Sequence, residues 1–446
     1  MNVARINFSH GTLDDHRKEI QRIKRIASEM DTVVCILADL PGPKIRVGMF
    51  HNEPVMLNRG DHIQLTVEDV EGTATLIPID YDRLLESIHP GSDIFLNDGF
   101  IQLKCLGPSG ERLECEVVVG GPLSSRKGVN LPGSNILMDP VTDKDLEIID
   151  FVLKEGVDTF SMSFVEKAED IRKVRQFAEK KGRSVYLVAK IEREEAVKNI
   201  ESILQAADAL MIARGDLGVE IPIQNVPVVQ KELIHKANLL GKPVITATHM
   251  LESMTENIRP TRAEATDVAN AIMDGTDALM LSGETAIGRY PVETVSMMVE
   301  IAKKTEAWRS HTGWGLEQVT RDLGEIQMDI SEVISVQVYD AIERLPIKYV
   351  VTPTVSGRTP RRISRFKPDT WILAMSRSKG TCEHLALSYG VYSILVEDVS
   401  SGWEDTVFET LDELGISRDG DMIVLTQGQS PGKPGGTNML KIITLE

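Results

Sequence analysis

The chain has 446 residues, of which 42% are hydrophobic and 26% are charged, and such values are typical of a globular protein with about two to four domains. Its formal net charge of −18 argues against nucleic acid as a partner, because the overall field repels phosphates. No apolar stretch approaches the ~20 residues of a membrane span, and the start lacks a signal-peptide pattern. The four cysteines show no C-x-x-C spacing. We therefore expect reduced thiols, a cytoplasmic location and no membrane partner.

One pattern recurs along the chain: a short apolar run ends in polar residues and is followed by an amphipathic helical stretch. Seven such runs lie at residues 2–9, 33–39, 159–164, 187–192, 209–216, 244–249 and 278–284. Strands alternating with helices predict a parallel sheet, and polar residues at the strand ends are typical of a (β/α)8 TIM barrel. Because eight strands are required, we expect the first strand to be missing ahead of Met1, through an incomplete or misplaced start.

This alternation of predicted strands and helices is interrupted at two places. Residues 43–129 contain short alternating runs separated by turn signals, which predicts an inserted small all-β domain. After about residue 310 a second α/β pattern begins and predicts an open-sheet domain. The predicted organisation is the first part of the barrel, the β insertion, the second part of the barrel and a C-terminal α/β domain, at residues 1–42, 43–129, 130–309 and 310–446.

The strongest chemical signal follows the central strands of the predicted barrel. Lys190 and Glu192 alternate on one strand and therefore share a face. Such a pair alone is more often a surface ion pair, but Asp216 follows the next strand. The two carboxylates provide hard oxygen ligands for a magnesium ion. Gly215 allows its backbone N–H to hold a carboxylate, and Thr248 ends a further strand, where it faces the mouth of the barrel.

The chain also carries motifs that resemble those of the pyruvate kinase family, in the family's order and spacing along almost its entire length. The matching segments are residues 1–11 (MNVARINFSHG), 42–46 (GPKIR), 127–133 (KGVNLPG), 190–192 (KIE), 213–220 (ARGDLGVE), 250–254 (MLESM) and 267–271 (DVANA). No single motif decides the assignment, whereas the ordered set does.

The resemblance implies an enzyme that transfers phosphate from phosphoenolpyruvate to ADP and releases pyruvate and ATP, the last step of glycolysis. Arg5 would hold the phosphate of the substrate, and Lys190 would neutralise the phosphoryl group in transit. Glu192 and Asp216 would bind Mg²⁺, with Mn²⁺ as the alternative metal. Thr248 would belong to the path that protonates the enolate. In such a transfer, positioning and charge stabilisation supply most of the rate enhancement.

The same resemblance implies further ligand contacts. The substrate would also contact Arg214, Gly215, Asp216 and Thr248. Nucleotide contacts would come from His10, Arg46 and Lys127, and the β insertion would close over the site as a lid that excludes water.

The monovalent-cation pocket of the family matches Asn7, Ser9, Asp39 and Leu40. Here the sequence departs from potassium-dependent members, because Leu40 and Lys44 replace their threonine and glutamate. We expect the ammonium of Lys44 to substitute for the cation, so that potassium is not required.

In the C-terminal domain, the family's sugar-phosphate site matches a loop between a strand and a helical stretch, which makes this a regulatory domain. Its residues are Thr354, Ser356, Gly357, Arg358 and Thr359, and hydroxyls and backbone amides at a helix start suit a phosphate group. The alternative is a plain capped turn. The family also implies a homotetramer with a phosphorylated allosteric effector.

Two other functions stay open from the sequence alone. One is a magnesium-dependent aldolase or lyase acting on pyruvate or oxaloacetate, because such barrels also use paired carboxylates. The other is a catalytically impaired remnant that acts as a binding subunit. The β insertion and Lys127 favour the kinase over the first, and the intact Lys190, Glu192, Asp216 and Thr248 weigh against the second.

Overall fold

The computed structural model describes residues 1–97, 99–134, 138–312, 317–324, 327–397, 399, 402–428 and 436–445. Within these ranges the chain forms a seven-stranded sheet, a six-stranded sheet with a separate strand pair, and a five-stranded sheet. The three groups follow the predicted order of barrel, inserted β domain and C-terminal α/β domain. The residue numbers proposed for the domain boundaries stay predictions.

The first barrel unit runs from strand to helix to strand, with β1 (Val3–Asn7), α1 (Leu13–Glu29) and β2 (Cys35–Leu40). Helix α1 begins with a capping box, in which Thr12 accepts from the backbone of Asp15 and the Asp15 side chain accepts in return. β1 and β2 pair in parallel, as expected when a helix connects two strands.

The inserted segment is built almost entirely of strands. Its elements are β3 (Val55–Leu57), β4 (His62–Thr66), β5 (Leu76–Pro78), α2 (Leu84–Ser87), β6 (Asp93–Leu96), β7 (Ile101–Ser109), β8 (Arg112–Val119), β9 (Gly121–Leu123) and β10 (Val129–Asn130). In β8 the residues Leu113, Cys115 and Val117 are buried while those between them are not, so one face of the sheet covers its own core. The all-β insertion is therefore confirmed.

The chain then returns to the barrel. The elements are α3 (Asp143–Lys154), β11 (Thr159–Met162), α4 (Ala168–Lys180), β12 (Tyr186–Ile191), α5 (Glu194–Lys198), α6 (Ile200–Ala206), β13 (Ala209–Ala213), α7 (Arg214–Glu220), α8 (Val226–Leu239), β14 (Val244–Ala247), α9 (Arg262–Met273), β15 (Ala278–Leu279), α10 (Gly283–Ala286) and α11 (Pro291–Thr312), with 3₁₀ turns at Ile223–Asn225 and Glu252–Thr255.

The seven barrel strands pair in parallel in the order β1-β2-β11-β12-β13-β14-β15. Alternate residues separate two cores. In β2, Cys35 and Leu37 belong to the inner cluster with Val188 of β12, whereas Ile36 and Ala38 pack beneath the outer helices. In the described part of the chain, the outer edges of β1 and β15 pair with no other strand. The predicted parallel barrel sheet is confirmed.

Several predicted strands are shorter than their apolar runs. The run at 209–216 ends as a strand at Ala213, and its polar residues form the first turn of α7. The run at 278–284 contains a two-residue strand, and its polar end enters α10. In both units the polar residues therefore lie at the rim of the sheet, in or next to the first turn of a helix rather than in the strand.

The C-terminal domain begins with α12 (Glu317–Gly324) and α13 (Ile330–Arg344). It continues through β16 (Ile347–Pro353), α14 (Arg358–Ser364), β17 (Trp371–Ser376), α15 (Lys379–Leu385), β18 (Val391–Leu395), α16 (Trp403–Glu413), β19 (Met422–Gly428) and β20 (Thr437–Thr444). The order is β18-β17-β16-β19-β20, and all pairs are parallel except β19 with β20. The predicted open sheet is confirmed.

The C-terminal domain covers the end of the barrel opposite the polar strand ends. Leu387 packs into the inner barrel cluster beside Tyr186. The ring of His384 stacks on Tyr186 with 4.6 Å between the centroids, and its Nε2 lies 2.9 Å from Asp158 Oδ1. This contact buries one end of the barrel beneath the C-terminal domain. The opposite end, where the strands end in polar residues, stays open for the candidate active site.

Two further predictions concerned the cysteines and membrane-spanning segments. The cysteines, Cys35, Cys105, Cys115 and Cys382, are free and buried. In the described ranges, no helix combines the length and the apolar character that crossing a bilayer requires.

Candidate active site

Lys190, at the end of β12, is the centre of a buried cluster. Its Nζ lies 2.8 Å from Glu192 Oε1 and 3.4 Å from Asp39 Oδ1, and it donates a 2.7 Å hydrogen bond to Ser163 Oγ. Burial alone would lower the pKa of Lys190, but the charges of Asp39, Glu192 and Asp216 outweigh it and raise the pKa. The lysine therefore keeps its positive charge at the barrel mouth.

Asp39, at the end of β2, forms ion pairs with two cationic side chains, Arg5 and Lys190. Its Oδ2 accepts from Arg5 Nε at 2.9 Å, and its Oδ1 accepts from Ser161 Oγ at 2.6 Å. Burial would raise the pKa of Asp39, but Lys190 and Arg5 together with the hydrogen bonds lower it. The carboxylate stays ionised and holds both cationic side chains in place.

Glu192 and Asp216 form the predicted carboxylate pair. Glu192 is 2% exposed, and its Oε2 accepts from the backbone N–H of Phe164 at 2.9 Å. Asp216 lies in the first turn of α7, close enough to act on the charge of Lys190. In the described residues no group of three or more metal-binding side chains occurs. Two carboxylates fit an ion such as Mg²⁺, which keeps waters and takes substrate oxygens.

Thr248 follows β14 in a left-handed conformation, with φ of 68°. Its Oγ1 donates to the carbonyl of Ala247 at 2.7 Å and accepts from the N–H of Gly215 at 2.8 Å. An incoming carboxylate would have to take this N–H from Thr248. Backbone strain of this kind is often found at functional sites, so the conformation is consistent with the predicted role of Thr248.

Arg214 holds the neighbouring loop. Its guanidinium donates to the carbonyls of Ala247 and Thr248, at 3.1 and 2.8 Å, and to Asp267 at 2.7 Å. These contacts brace the turn that carries Thr248. A direct contact between Arg214 and substrate stays a prediction.

Ser161 and Ser163 of the β11 unit were not predicted as site residues. Ser163 accepts from Lys190 and donates to the carbonyl of Leu40 at 2.7 Å. The signal was present in the sequence, because two serines two residues apart at the end of a buried strand share a face. Only the neighbouring strands show that this face meets Lys190 and Asp39.

The predicted nucleotide residues lie near the base of the β insertion and on the β1–α1 loop. Arg46 Nη1 donates to the carbonyl of Arg126 at 2.8 Å, and the carbonyl of Lys127 accepts from Val47. His10 is exposed, and its carbonyl accepts from His16. Their contacts with nucleotide stay predictions.

The insertion also approaches the site. A Cβ added to Gly99, in the turn between β6 and β7, would lie 3.2 Å from Val219 Cγ2 of α7. The turn therefore reaches the helix whose first turn carries Asp216, which is consistent with a lid.

The four residues matched to the cation pocket separate into two environments. Asn7 Oδ1 accepts from the backbone of Ser9 at 3.1 Å, and Asp39 holds Arg5 and Lys190 as described. The side chain of Leu40 packs instead in the outer core. Lys44 lines a cleft at the junction between barrel and insertion.

The predicted effector loop is closed by its own hydrogen bonds. Thr354 Oγ1 accepts from the N–H of Gly357 at 3.0 Å, and Thr359 Oγ1 lies 2.7 Å from Thr437 Oγ1. Arg358 pairs with Asp329 at 3.0 Å, and Ser356 is exposed. Binding of an effector by this loop stays a prediction.

A parallel barrel whose strand ends gather buried cations and a carboxylate pair is typical of enzymes that act on anionic substrates with a divalent metal. Comparison with known proteins narrows this class. The family model described as the pyruvate kinase barrel domain matches residues 1–295, and the model described as the pyruvate kinase alpha/beta domain matches residues 332–443.

Relatives named pyruvate kinase match over the whole length of the chain. The protein from Thermococcus litoralis is 48% identical over 445 residues, which are 100% of this chain and 93% of the relative. Those from Geobacillus stearothermophilus and Staphylococcus aureus are 42% and 40% identical, over 99% of this chain and 76% of each relative. The chain belongs to the pyruvate kinase family, and it is therefore a phosphotransferase of a family that needs a divalent metal.

Proposed function

We propose that this chain transfers the phosphoryl group of phosphoenolpyruvate to ADP, with pyruvate and ATP as products. The observation that carries the proposal is the buried cluster in which Lys190 lies 2.8 Å from Glu192 and 3.4 Å from Asp39. Such a cluster offers a preorganised positive charge beside Glu192, which together with Asp216 would supply two oxygen ligands for a metal. Family membership over the whole chain points to the same reaction.

In the reaction, the bond between phosphorus and the enol oxygen breaks, and a bond from phosphorus to a terminal ADP oxygen forms. Arg5 and Lys190 neutralise the phosphate charge, and Asp39 keeps both cations oriented. A Mg²⁺ ion held by Glu192 and Asp216 would supply Lewis-acid stabilisation of the substrate oxygens. The positive charges act in a largely buried site, where their effect exceeds that in water.

The enolate that remains must gain a proton at carbon before pyruvate leaves. We place Thr248 on this proton path through a water molecule, because its hydroxyl exchanges hydrogen bonds with Ala247 and Gly215 at the barrel mouth. Closure of the lid would exclude other water during the transfer.

Replacement of the central lysine tests the assignment. Lys190→Met removes the charge and keeps a side chain of similar length, so the rate of phosphoryl transfer should fall by at least about 10²–10³-fold. Pyruvate production coupled to lactate dehydrogenase measures this rate, with and without ADP. Lys198→Met is the matched control, because Lys198 is exposed and, among the residues that the structure describes, its ion pairs are with Glu194 and Glu195.

Near-normal turnover of Lys190→Met would exclude Lys190 from the reaction. Pyruvate formation from oxaloacetate without ADP would instead support the lyase. The closeness of the β insertion to α7, where Gly99 faces Val219, favours the kinase, because a kinase needs a lid and a nucleotide surface.

Three finer features belong to the same proposal. We propose Mg²⁺ as the metal and a cytoplasmic homotetramer as the working form. We also propose that potassium is not required, since Leu40 contributes an apolar side chain to the outer core and the Asp39 carboxylate already holds two protein cations.

A further inference from the structure

Two of the four cysteines lie opposite each other in the β insertion. Cys105 of β7 and Cys115 of β8 are register partners in the antiparallel pairing of these strands. Cys105 is 1% exposed and Cys115 is 0% exposed, and both belong to the hydrophobic core of the insertion. Their side chains therefore project from the same face of the sheet into the same interior.

Backbone hydrogen bonds define the kind of pair that the two cysteines form. The N–H of Cys105 donates to the carbonyl of Ser92 at 2.9 Å, and its carbonyl accepts from the N–H of Gly91 at 2.8 Å. Because both groups point away from β8, Cys105 and Cys115 are a non-hydrogen-bonded pair, in which the Cα atoms are about 4.5 Å apart. A disulfide requires about 4.4–6.8 Å between the Cα atoms. The pair therefore has the spacing of a disulfide without movement of either strand.

The strand is irregular directly after this pair. The register of β7 with β8 shifts between Cys105 and Gly107, and Leu106 between them is 45% exposed. Such a bulge interrupts the ladder of hydrogen bonds, and only residues 110 and 111 connect the two strands. Local opening at an interrupted hairpin gives a small oxidant a route to the buried sulfurs.

The two thiols differ in how readily they ionise. Burial raises the pKa of both. At Cys105, hydrogen bonds from the backbone of Gly107 and with the Cys115 thiol act against burial, whereas at Cys115 the Cys105 thiol raises the pKa further. Because the thiolate is the form that attacks an oxidant, Cys105 is the attacking cysteine and Cys115 the resolving one.

We infer that Cys105 and Cys115 form an oxidation site, at which hydrogen peroxide converts the two thiols into a disulfide between β7 and β8. The Cys105 sulfur attacks a peroxide oxygen, the O–O bond breaks, and a sulfenic acid and one water form. The Cys115 sulfur then attacks the sulfenic sulfur, the S–O bond breaks, and a second water leaves. The two sulfurs together lose two electrons, which reduce the peroxide, and the two thiol protons end in water. The site does not depend on the proposed activity.

The other two cysteines serve as internal controls. Cys35 lies on β2 of the barrel, where its Sγ is 3.7 Å from Thr159 Oγ1, and Cys382 lies on α15 of the C-terminal domain. Each is therefore in a different domain from the pair. A disulfide from either of them to Cys105 or Cys115 would require unfolding.

Peptide mapping of the full-length folded chain tests the inference. After treatment with hydrogen peroxide, the remaining thiols are alkylated, and the chain is digested without reductant and analysed by mass spectrometry. Wild type should give one linked pair of peptides, containing Cys105 and Cys115, with a mass two hydrogens below the sum of the reduced peptides. The link should disappear with dithiothreitol, and Cys35 and Cys382 should be alkylated.

Two variants separate the pair from the other thiols. Cys115→Ala leaves Cys105 without a resolving thiol, so dimedone should label its sulfenic acid after peroxide treatment, whereas wild type should stay unlabelled. Cys382→Ala is the matched control, because it removes a buried thiol of another domain and should form the same link as wild type. Melting temperatures in reducing buffer confirm that both variants are folded. Wild type in which Cys105 and Cys115 are still alkylated after peroxide treatment would overturn the inference, as would a mixture of links that includes Cys35 or Cys382.

Discussion

Ser163 illustrates how a small side chain can position a charged one. Its hydroxyl receives a hydrogen bond from Lys190 and passes one to the carbonyl of Leu40. Because Ser163 is 6% exposed, water cannot readily replace either bond. The serine therefore determines where the lysine ammonium lies relative to Glu192 and Asp39.

Ser163→Ala should lower kcat by about tenfold or more, because a hydrogen bond to a charged group contributes about 1.5–3 kcal/mol. The KM for phosphoenolpyruvate should change less than kcat, and Ser163→Thr, which keeps a hydroxyl, should restore most of the rate. Steady-state kinetics measure both quantities. Ser388→Ala is the control, since Ser388 is also buried and, among the described residues, its hydroxyl has no hydrogen-bond partner. Equal kcat for wild type and Ser163→Ala would contradict the positioning role.

At the scale of elements, the hinge between β2 and the insertion is closely constrained. Gly42 has φ of 61°, and a Cβ there would lie 2.9 Å from the Phe164 ring, so a side chain would clash. Its N–H donates to Asp145 Oδ1 at 3.1 Å. Lys44 follows two residues later and lines the junction cleft with Glu220. The charge of Lys44 therefore lies where the insertion joins the barrel.

The activity should therefore not depend on potassium. A cation bound about 4 Å from the Lys44 ammonium would be repelled by about 4 kcal/mol at an effective dielectric constant of 20. Rates in potassium, sodium and a bulky organic cation at equal ionic strength should be similar for the wild type, whereas Lys44→Glu should gain activation by potassium. Strong potassium activation of the wild type would refute the proposal.

At the scale of the whole molecule, ion pairs connect the C-terminal domain to the barrel. Lys367 Nζ, which is fully buried, donates to Asp277 at 2.7 Å. His384 lies 2.9 Å from Asp158. Burial would raise the pKa of Asp158, but the hydrogen bond and the charge of His384 outweigh it and lower the pKa.

A carboxyl group whose pKa is lower in the folded protein than in the unfolded chain stabilises the fold at pH values above about 3.9, its pKa in the unfolded chain. This stabilisation is lost as the pH falls through the pKa of the folded state. Asp158→Asn should therefore lower the free energy of unfolding by about 1 kcal/mol near pH 7, and the difference from wild type should shrink below about pH 4. Urea denaturation at both pH values measures it. Asp150→Asn is the control, because its pairs with Lys154 and Lys181 are more exposed and should contribute little. A constant difference at both pH values would exclude Asp158 as the titrating group.

The sequence by itself determined the class of fold and the centre of the site. Strand and helix periodicities are local, so the barrel strands, the β insertion and the C-terminal sheet could be predicted from spacing alone. Local alternation also placed Lys190 and Glu192 on one face of a strand. The ordered motifs then indicated the family.

Only the tertiary structure decided which distant groups meet. Ser163 contacts Lys190 across neighbouring strands. Asp39 pairs with Arg5, 34 residues before it, and with Lys190, 151 residues after it. Cys105 faces Cys115 through the register of β7 and β8, and Lys367 meets Asp277 because two domains pack together. Such contacts depend on sheet register and domain packing, which bring together residues that no local sequence pattern relates. The same packing determines which charged side chains form ion pairs.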